Sequence, residues 1–553
     1  MPPTSWPQRL VARAPRIVFE AFFASITLYS ARPAFASLHL PLQDIPQHMA
    51  AISVLRRYPT DAGLRHVVEL TLSRTQYLFV YLLGVPLSIP FGVAYATRLL
   101  VAMTVVSIPY ALRFALRRSG GDERLAALAW PFAWNPQMMF GFLNFLLGIP
   151  LALVAIGLFN DRERRTNRRR RVVLALLALA AFYSHLIPYG ILGLGVLLSL
   201  HVEGPVERLA ESWRDASRPL AARALSSIPV IASLAWSNAK RWTRELLFLL
   251  PSFAAAILWV ARSPARDASV RAGGIGQEVR LTWPDRMQLP AQFRETILAV
   301  QGDSDEKALI AWGLALFVAF AATRTPPRIA VEATAPATRV ASHRLAWLPF
   351  VCALLYVFTP DGYGWIWPIH TRFAVAAVLL LPLALGRIRH GVFAWAILLA
   401  MAWAAIGVSR EQTVNFQRWD RDEFGDLDAA LVHARPGRRL IALVPAMRSQ
   451  HIPSNVPLLH AAAYYQVRGG VVATFSFADF PQSPFRYREA GPRPPRLRPR
   501  WEWETSLRDA DATHTYYDYV LTRGGWGDEP SSFPDIYDRI YQGPHWNLYE
   551  RRR

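Results

Sequence analysis

The chain has 553 residues, 52% of them hydrophobic and 18% charged, with a mean hydropathy of +0.17, which excludes a wholly water-soluble protein. Its one cysteine, Cys352, excludes an intrachain disulfide and any metal site built on thiolate pairs. The formal charge of +21 sits in short arginine runs beside apolar stretches, not on one polar face, so it reads as membrane orientation and not as a nucleic-acid footprint.

A helix that crosses about 30 Å of hydrocarbon needs roughly 20 apolar residues, because the bilayer core offers no water to unpaired backbone groups. On that measure spans are predicted near 17–38, 76–93, 97–114, 136–159, 172–184, 187–203, 244–261, 308–323, 345–359, 371–386 and 391–408. The first window contains Glu20 and Arg32; Glu20 interrupts its apolar core and many spans follow, so it reads as a retained span and not a cleaved signal. Lys and Arg near span ends are held on the cytoplasmic side. Arg9, Arg13 and Arg16 mark the amino end, and Arg162, Arg164, Arg165 and the run Arg168 to Arg171 form the strongest inside marker. Counting from there places 206–243, 324–344 and 387–390 inside, and 39–75, 262–307, 360–370 and 409–553 outside. One stretch resists: the count puts 113–124 outside, yet it carries Arg113, Arg117, Arg118 and Arg124. Either the rule fails there or a segment between 76 and 135 is re-entrant.

These elements define a mainly α, polytopic membrane protein of about 10–12 spans, with a transmembrane domain over 1–408 and an extracytoplasmic α/β domain over 409–553. In the first outer loop, 39–75, Ala51, Ile52, Val54 and Leu55, then Leu64, Val67, Val68 and Leu72, recur near helical spacing, as in a helix lying along a membrane surface. Beyond 409 the acids become frequent and the apolar runs too short to span. Strands are predicted at Arg439 to Val444, Val471 to Phe477, Tyr517 to Thr522 and His545 to Tyr549, with helices near 424–434, 457–467 and 533–541. The stretch 481–500 is rich in proline and arginine, which disfavours helix and ladder pairing and predicts an extended loop. No internal repeat and no inverted pair of broken helices is visible.

Three clusters bear chemistry. In Asp44-Ile45-Pro46-Gln47-His48, Pro46 stiffens a turn at a helix mouth; Asp44 either caps that helix or stands free as a general base, and His48 is either solvated or binds substrate. Tyr183-Ser184-His185-Leu186-Ile187-Pro188 breaks an apolar stretch at its outer end, so His185 faces a polar cavity or bonds a neighbouring helix. In the run from Asp361 to Arg372, Arg372 opens a span from the side the orientation rule disfavours. Beside His370, Trp365 and Trp367 it suits a lipid phosphate, or else it snorkels in an aromatic belt. Asp426 and Asp428 have the spacing of a metal-nucleotide pair but sit in an acidic helix, Gly273-Gly274-Ile275-Gly276 follows no strand, and His451, His460, His514 and His545 lack compact metal-ligand spacing.

This arrangement resembles the GT-C superfamily of polytopic glycosyltransferases, in particular its protein-mannosyltransferase-like, dolichyl-phosphate-mannose-dependent groups. The Asp44 to His48 stretch is similar to their acidic first-loop motif, and Trp134-Asn135-Pro136 to Phe145, the Ser184-His185 pair and the ending Tyr517 to Tyr549 look like recurring features of bacterial members. Many members carry two adjacent acids in that loop, whereas Asp44 is followed by Ile45, a departure that bears on metal use and activity. The resemblance implies sugar transfer from a polyprenyl-phosphate donor to a glycan, lipid or protein acceptor outside a bacterial inner membrane, by inverting displacement. Asp44 would then be the base, with Arg372, His185, His370 and His48 around the substrate and the carboxyl-terminal domain holding the acceptor. No cofactor follows from it with a ligand set of its own; a divalent cation remains open. The rival readings are a transporter or flippase for an anionic, lipid-linked substrate, and an assembly component without activity.

Overall fold

The computed structural model describes residues 6–161, 167–200, 219–262, 281–298, 302–323, 344–363, 366–480, 482–495, 497, 501–524 and 533–552. It is a polytopic helical bundle with a small sheet domain at its carboxyl end. In chain order the first half comprises Trp6–Ser30 (α1), Ile45–Arg57 (α2), Ala62–Val67 (α3), Phe79–Phe91 (α4), Val93–Arg118 (α5), Pro136–Met139 (α6), Leu143–Asn160 (α7), Arg168–Ser184 (α8) and Leu186–Ser199 (α9). Among the described residues, Val93–Arg118, Leu143–Asn160, Asn238–Arg262 and Gly391–Phe424 are helical stretches long and apolar enough to cross a membrane. Phe79–Phe91, Leu186–Ser199, Leu348–Phe358 and His370–Ala384 are shorter apolar helices.

The arginine conflict resolves in the path between 76 and 135. Helix α4, interrupted by Pro86 and Pro90, keeps both ends on one side of the bundle. The Leu78 N–H donates to the Tyr183 carbonyl at 2.8 Å at one end, and Arg56 of α2 donates to the Ser88 carbonyl at 2.8 Å at the other. Both ends of helix α4 therefore lie on the side of α2, and its 13 residues do not make the span expected at 76–93. Helix α5 then traverses the bundle. It starts where Arg98 donates to the Leu38 carbonyl and ends where Arg118 pairs with Asp161 at 2.5 Å. The chain returns as a 3₁₀ segment, Glu123–Trp134, with every residue from Leu125 to Trp134 buried. At about 2.0 Å per residue such a segment reaches roughly 24 Å. It runs along α1, whose Thr27 hydroxyl accepts from Trp130 (2.9 Å) and whose Ser30 carbonyl accepts from Trp134 (2.8 Å). The stretch 113–124 thus lies at the same end as Asn160–Asp161 and 167–171, as the arginines Arg168 to Arg171 require.

That end is tied by a buried charge. Arg113 pairs with Glu20 of α1 at 2.5 Å and with Glu123 at 2.9 Å, its guanidinium 4.7 Å from the Phe19 ring centroid and 5.2 Å from that of Phe23. Glu20, the residue that interrupts the first apolar window, is there to meet it.

The opposite end carries the sheet domain. Helix Gly391–Trp419 runs past residue 408 and widens into a π-turn over Asp420–Phe424, which Gly425 ends in the left-handed region (φ +62°). The strands, in chain order, are Val68–Leu70 (β1), Leu281–Thr282 (β2), Gly362–Tyr363 (β3), Arg439–Leu443 (β4), Val472–Ala473 (β5), Phe485–Tyr487 (β6), Tyr519–Arg523 (β7), Tyr537–Gln542 (β8) and Trp546–Arg551 (β9). The main sheet has the order β5-β4-β7-β9-β8, parallel on the β5-β4-β7 side and antiparallel on the other.

Two expectations change here. The helix near 533–541 stops at Ile536, because Tyr537–Gln542 pairs with β9 as an edge strand. The loop 481–500 contains β6, a proline-free triplet that pairs antiparallel with β1 of the first outer loop (Val68↔Tyr487, Glu69↔Arg486, Leu70↔Phe485). Helix α2 is likewise not a surface helix: residues Ile45 to Val54 are all buried, with α4 on one side and the carboxyl-terminal domain on the other, where Arg57 donates to the Gln466 carbonyl at 3.0 Å. Its polar face meets protein, not water.

The shared end of the two arginine stretches is testable by labelling. With Cys352 buried, Arg117→Cys and Asn167→Cys should react alike with a membrane-impermeant thiol reagent, both protected in intact cells and both labelled after permeabilisation. Opposite behaviour of the two would overturn this path.

Candidate active site

The site is built on a backbone contact. Gln43 and Asp44 donate their N–H groups to the carbonyls of Met139 and Phe140, each at 3.0 Å. At Gly141, φ is +81°, and an added Cβ would lie 3.0 Å from the Asp44 nitrogen and 3.2 Å from its Cβ, so only glycine fits. His48, one turn along α2, completes the clamp. Its Nε2–H donates to the Gly141 carbonyl (3.1 Å), which leaves Nδ1 to accept from the Tyr81 hydroxyl (3.0 Å). Burial holds the His48 pKa below its ordinary value, so the ring is neutral. Asn455 of the carboxyl-terminal domain donates to the carbonyls of Pro41 (2.9 Å) and Met139 (2.5 Å), binding the two strands of chain from outside.

Asp44 does not cap α2: its side chain makes no capping hydrogen bond. It retains 18% of its side-chain surface and pairs with Nε2 of His460 at 3.3 Å. The carboxylate is held yet reachable.

The segment after Asn135 links this turn to the cation. The Asn135 side chain caps α6 by accepting from the N–H groups of Gln137 and Met138, and Gln137 donates to the Thr371 hydroxyl at 3.1 Å. Phe142 lies beneath Arg372, whose guanidinium carbon is 4.5 Å from the ring centroid. Arg372 is buried, its Nη1 is 2.8 Å from Nε2 of His185, and Asp44 is the carboxylate whose charge reaches it. Nδ1 of His185 accepts from the Ile187 N–H and so caps α9, while Tyr77 packs on the ring at 5.4 Å. Asp44, His48, His185 and Arg372 are therefore gathered around one short stretch, 135–145.

His370 is not. It pairs with Asp361 at 3.0 Å and stacks on Tyr356 at 5.4 Å, while Asp361 also accepts from Trp367. Two residues along the same helix from Arg372, it faces another way. Trp365 and Gly273 to Gly276 lie outside the described residues. Asp426 accepts from the Tyr541 hydroxyl and the His545 N–H, and Asp428 pairs with His39 and Arg468, so both acids hold the fold. Among the described residues no three His, Cys, Asp or Glu side chains are grouped to hold a metal ion. Arg486 and Arg493 of the proline-rich stretch pair with Glu69 and Glu489, and Arg488 donates to the Arg65 carbonyl. An apolar groove of about 550 Å³, lined by Phe317, Phe320, Trp347, Phe350 and Leu381 among others, lies on the bundle wall and borders none of the site residues.

A second clamp fixes the loop ahead of Asp44. His39 stacks on Phe424 at 4.1 Å and pairs with Asp428 (3.2 Å) and Asp420 (3.8 Å). Burial works to lower the His39 pKa, but its hydrogen bonds to the two carboxylates outweigh this and raise it above the ordinary value. Asp428 is drawn down to about 2: burial opposes, and His39 and Arg468 prevail.

Sequence reasoning missed His460, Gln47, Tyr77, Tyr81 and Phe142 as parts of the site. Gln47 lay inside the Asp44 motif, Phe142 inside the segment from Trp134 to Phe145, and His460 was in view only as a histidine without compact metal-ligand spacing.

No family model matches the chain, and no curated protein matches it. Similar solved structures include ArnT from Cupriavidus metallidurans bound to undecaprenyl phosphate, at 12% identity and a TM-score of 0.37 over 97% of this chain and 98% of that one. The same protein in the apo state aligns at 14% identity and a TM-score of 0.41 over 98% of both chains. A likeness of this size concerns the course of the chain and assigns no residue.

Gly141→Ala should cost about 1–2 kcal/mol of stability for the left-handed backbone. It should also displace Asp44, which a loss of activity in folded, detergent-extracted protein would reveal. His39, with its raised folded pKa, contributes stability fully below its unfolded value and loses it as pH rises through the folded one. Thermal stability should therefore fall as the pH rises above about 6.5, the ordinary value for histidine, and His39→Gln should flatten that slope.

Proposed function

We propose that the protein is a GT-C-type glycosyltransferase that moves a sugar from a polyprenyl-phosphate donor to an acceptor hydroxyl at the sheet-domain end of the bundle. The carrying observation is the Arg372–His185 pair set within Coulombic reach of a partly exposed carboxylate. The Ile187 N–H faces Nδ1 of His185 and Arg372 Nη1 faces its Nε2, so both ring nitrogens meet donors and His185 positions the guanidinium. The Nε–H of Arg372, buried without a partner among the described residues, is the donor it offers. A phosphate oxygen accepts from it, and a charge-assisted bond strengthens as the leaving phosphate gains charge.

The chemistry follows. The acceptor oxygen attacks the anomeric carbon while Asp44 takes its proton. The bond from that carbon to the phosphate oxygen breaks, and its electron pair leaves with the lipid phosphate, held by Arg372, which His185 positions. A single displacement inverts the anomeric carbon. Apolar helices around the site suit an isoprenoid tail. The arginine-rich end would be cytoplasmic and the sheet domain extracytoplasmic, in a bacterial inner membrane. The dolichyl-phosphate-mannose-dependent group makes mannose the first sugar to assay.

Asp44→Asn should lower transfer by about 10²–10⁴-fold, the usual worth of a general base, with donor binding intact. Arg372→Ala should weaken donor binding by about tenfold or more, as loss of a charged hydrogen bond does. Both are read by radiolabelled donor in vesicles. Normal transfer by Asp44→Asn would sink the reading, and flux of an anionic lipid across the vesicle wall would favour a flippase.

A further inference from the structure

The first-loop carboxylate has no acidic neighbour in its own motif, but it has a partner from the other end of the chain. We propose that His460 is a positioning residue for Asp44, delivered by the carboxyl-terminal domain and fixed in a single tautomer by Gln47. The proposal rests on the reading of Asp44 as the base.

The tautomer follows from a chain of donors. The Phe477 N–H donates to Oε1 of Gln47 at 2.9 Å, which sets the direction of that buried amide. Its Nε2 then has two hydrogens to give: one goes to the Phe475 carbonyl at 2.5 Å, the other to Nδ1 of His460 at 3.2 Å. An amide nitrogen accepts nothing, so Nδ1 is the acceptor and the imidazole hydrogen sits on Nε2. That hydrogen points at Oδ1 of Asp44, 3.3 Å away.

The ring has little freedom to do otherwise. It is 4% exposed and stacked on Phe475, with centroids 4.9 Å apart and planes at 17°. Phe475 itself has φ of +53°, the left-handed region that a phenylalanine rarely occupies. Strain is kept where it turns this ring onto His460 and its carbonyl onto Gln47.

The arrangement decides what His460 does. Its Nε2 already carries hydrogen and its Nδ1 is occupied, so it does not take the proton that Asp44 removes. It holds one carboxylate oxygen and turns the other toward the acceptor hydroxyl. The other titratable groups facing Asp44 are His48, Tyr81 and Arg372. Each is engaged elsewhere, His48 with Tyr81 and Gly141, Arg372 with His185. The base is therefore complete only when the sheet domain is docked on the first loop.

The test uses the full chain in vesicles with a polyprenyl-phosphate sugar, following kcat and KM for the donor. His460→Phe, which keeps the stack and removes the donor, should lower kcat about tenfold with KM unchanged. His460→Gln, whose amide nitrogen reaches the same place, should recover most of the rate, a rescue that packing alone does not give. A normal kcat in His460→Phe, a raised KM in place of a lowered kcat, or a His460→Gln as slow as His460→Phe, overturns the proposal. Asp44→Asn run in parallel keeps the two ideas apart: if it retains transfer, the base assignment itself fails, whereas if it is inactive while His460→Phe is normal, only the role of His460 fails.

Discussion

The close approach of Gly141 to Asp44 is the constraint on which the site depends. Two pieces of chain nearly a hundred residues apart share backbone hydrogen bonds at 43–44 and 139–140, and the absence of a side chain at 141 lets them touch. One of these pieces carries the carboxylate and the other the ring on which Arg372 rests. The placing of the acid relative to the cation is thus set by main-chain geometry, which is stiffer than any pair of long side chains. His48 adds to this by joining the Gly141 carbonyl to Tyr81 of helix α4. A buried neutral imidazole with both nitrogens used is a structural bolt, and its place one turn from Asp44 follows from that task.

The first outer loop and the carboxyl-terminal region form one body. They share the β1–β6 ladder, the His39 contacts with Asp420 and Asp428, and the side-chain bonds of Gln47 and Asn455. An unpaired strand edge and a helix with a polar face would each be liabilities in a loop standing alone. Here each supplies what the other lacks. Folding of the site consequently waits for the last quarter of the chain.

Much of this was legible in the sequence, for physical reasons that also mark where legibility stops. Apolar windows locate membrane helices because the requirement is local, and β4, β7 and β9 showed as short apolar runs for the same reason. Asp44, His185 and Arg372 stood out because charge beside hydrocarbon is costly wherever the chain goes. The path of 76–135 did not show: Phe79–Phe91 is as apolar as a span, and a buried 3₁₀ return has no periodic signature to separate it from a loop. The arginines at 113–124 registered the error all the same. His460 was invisible as a partner of Asp44, since the contact joins residues 416 apart by way of Gln47, and spacing carries no trace of it. His370 was over-read; its neighbourhood with Arg372 in sequence is undone by the helix, which turns the two side chains to different sides.

The return strand Glu123–Trp134 has one further property. A 3₁₀ coil of 12 residues is about 6 Å longer than the same residues wound as an α-helix, and Pro131 within it, with no N–H and a ring that would meet the carbonyl four residues back, opposes rewinding. This traverse is therefore a strut of set length, anchored by Arg113 and Glu123 at one end and by the indole of Trp134 at the other. It fixes how far the Asn135 turn, and with it the floor under Arg372, stands from the arginine-rich face.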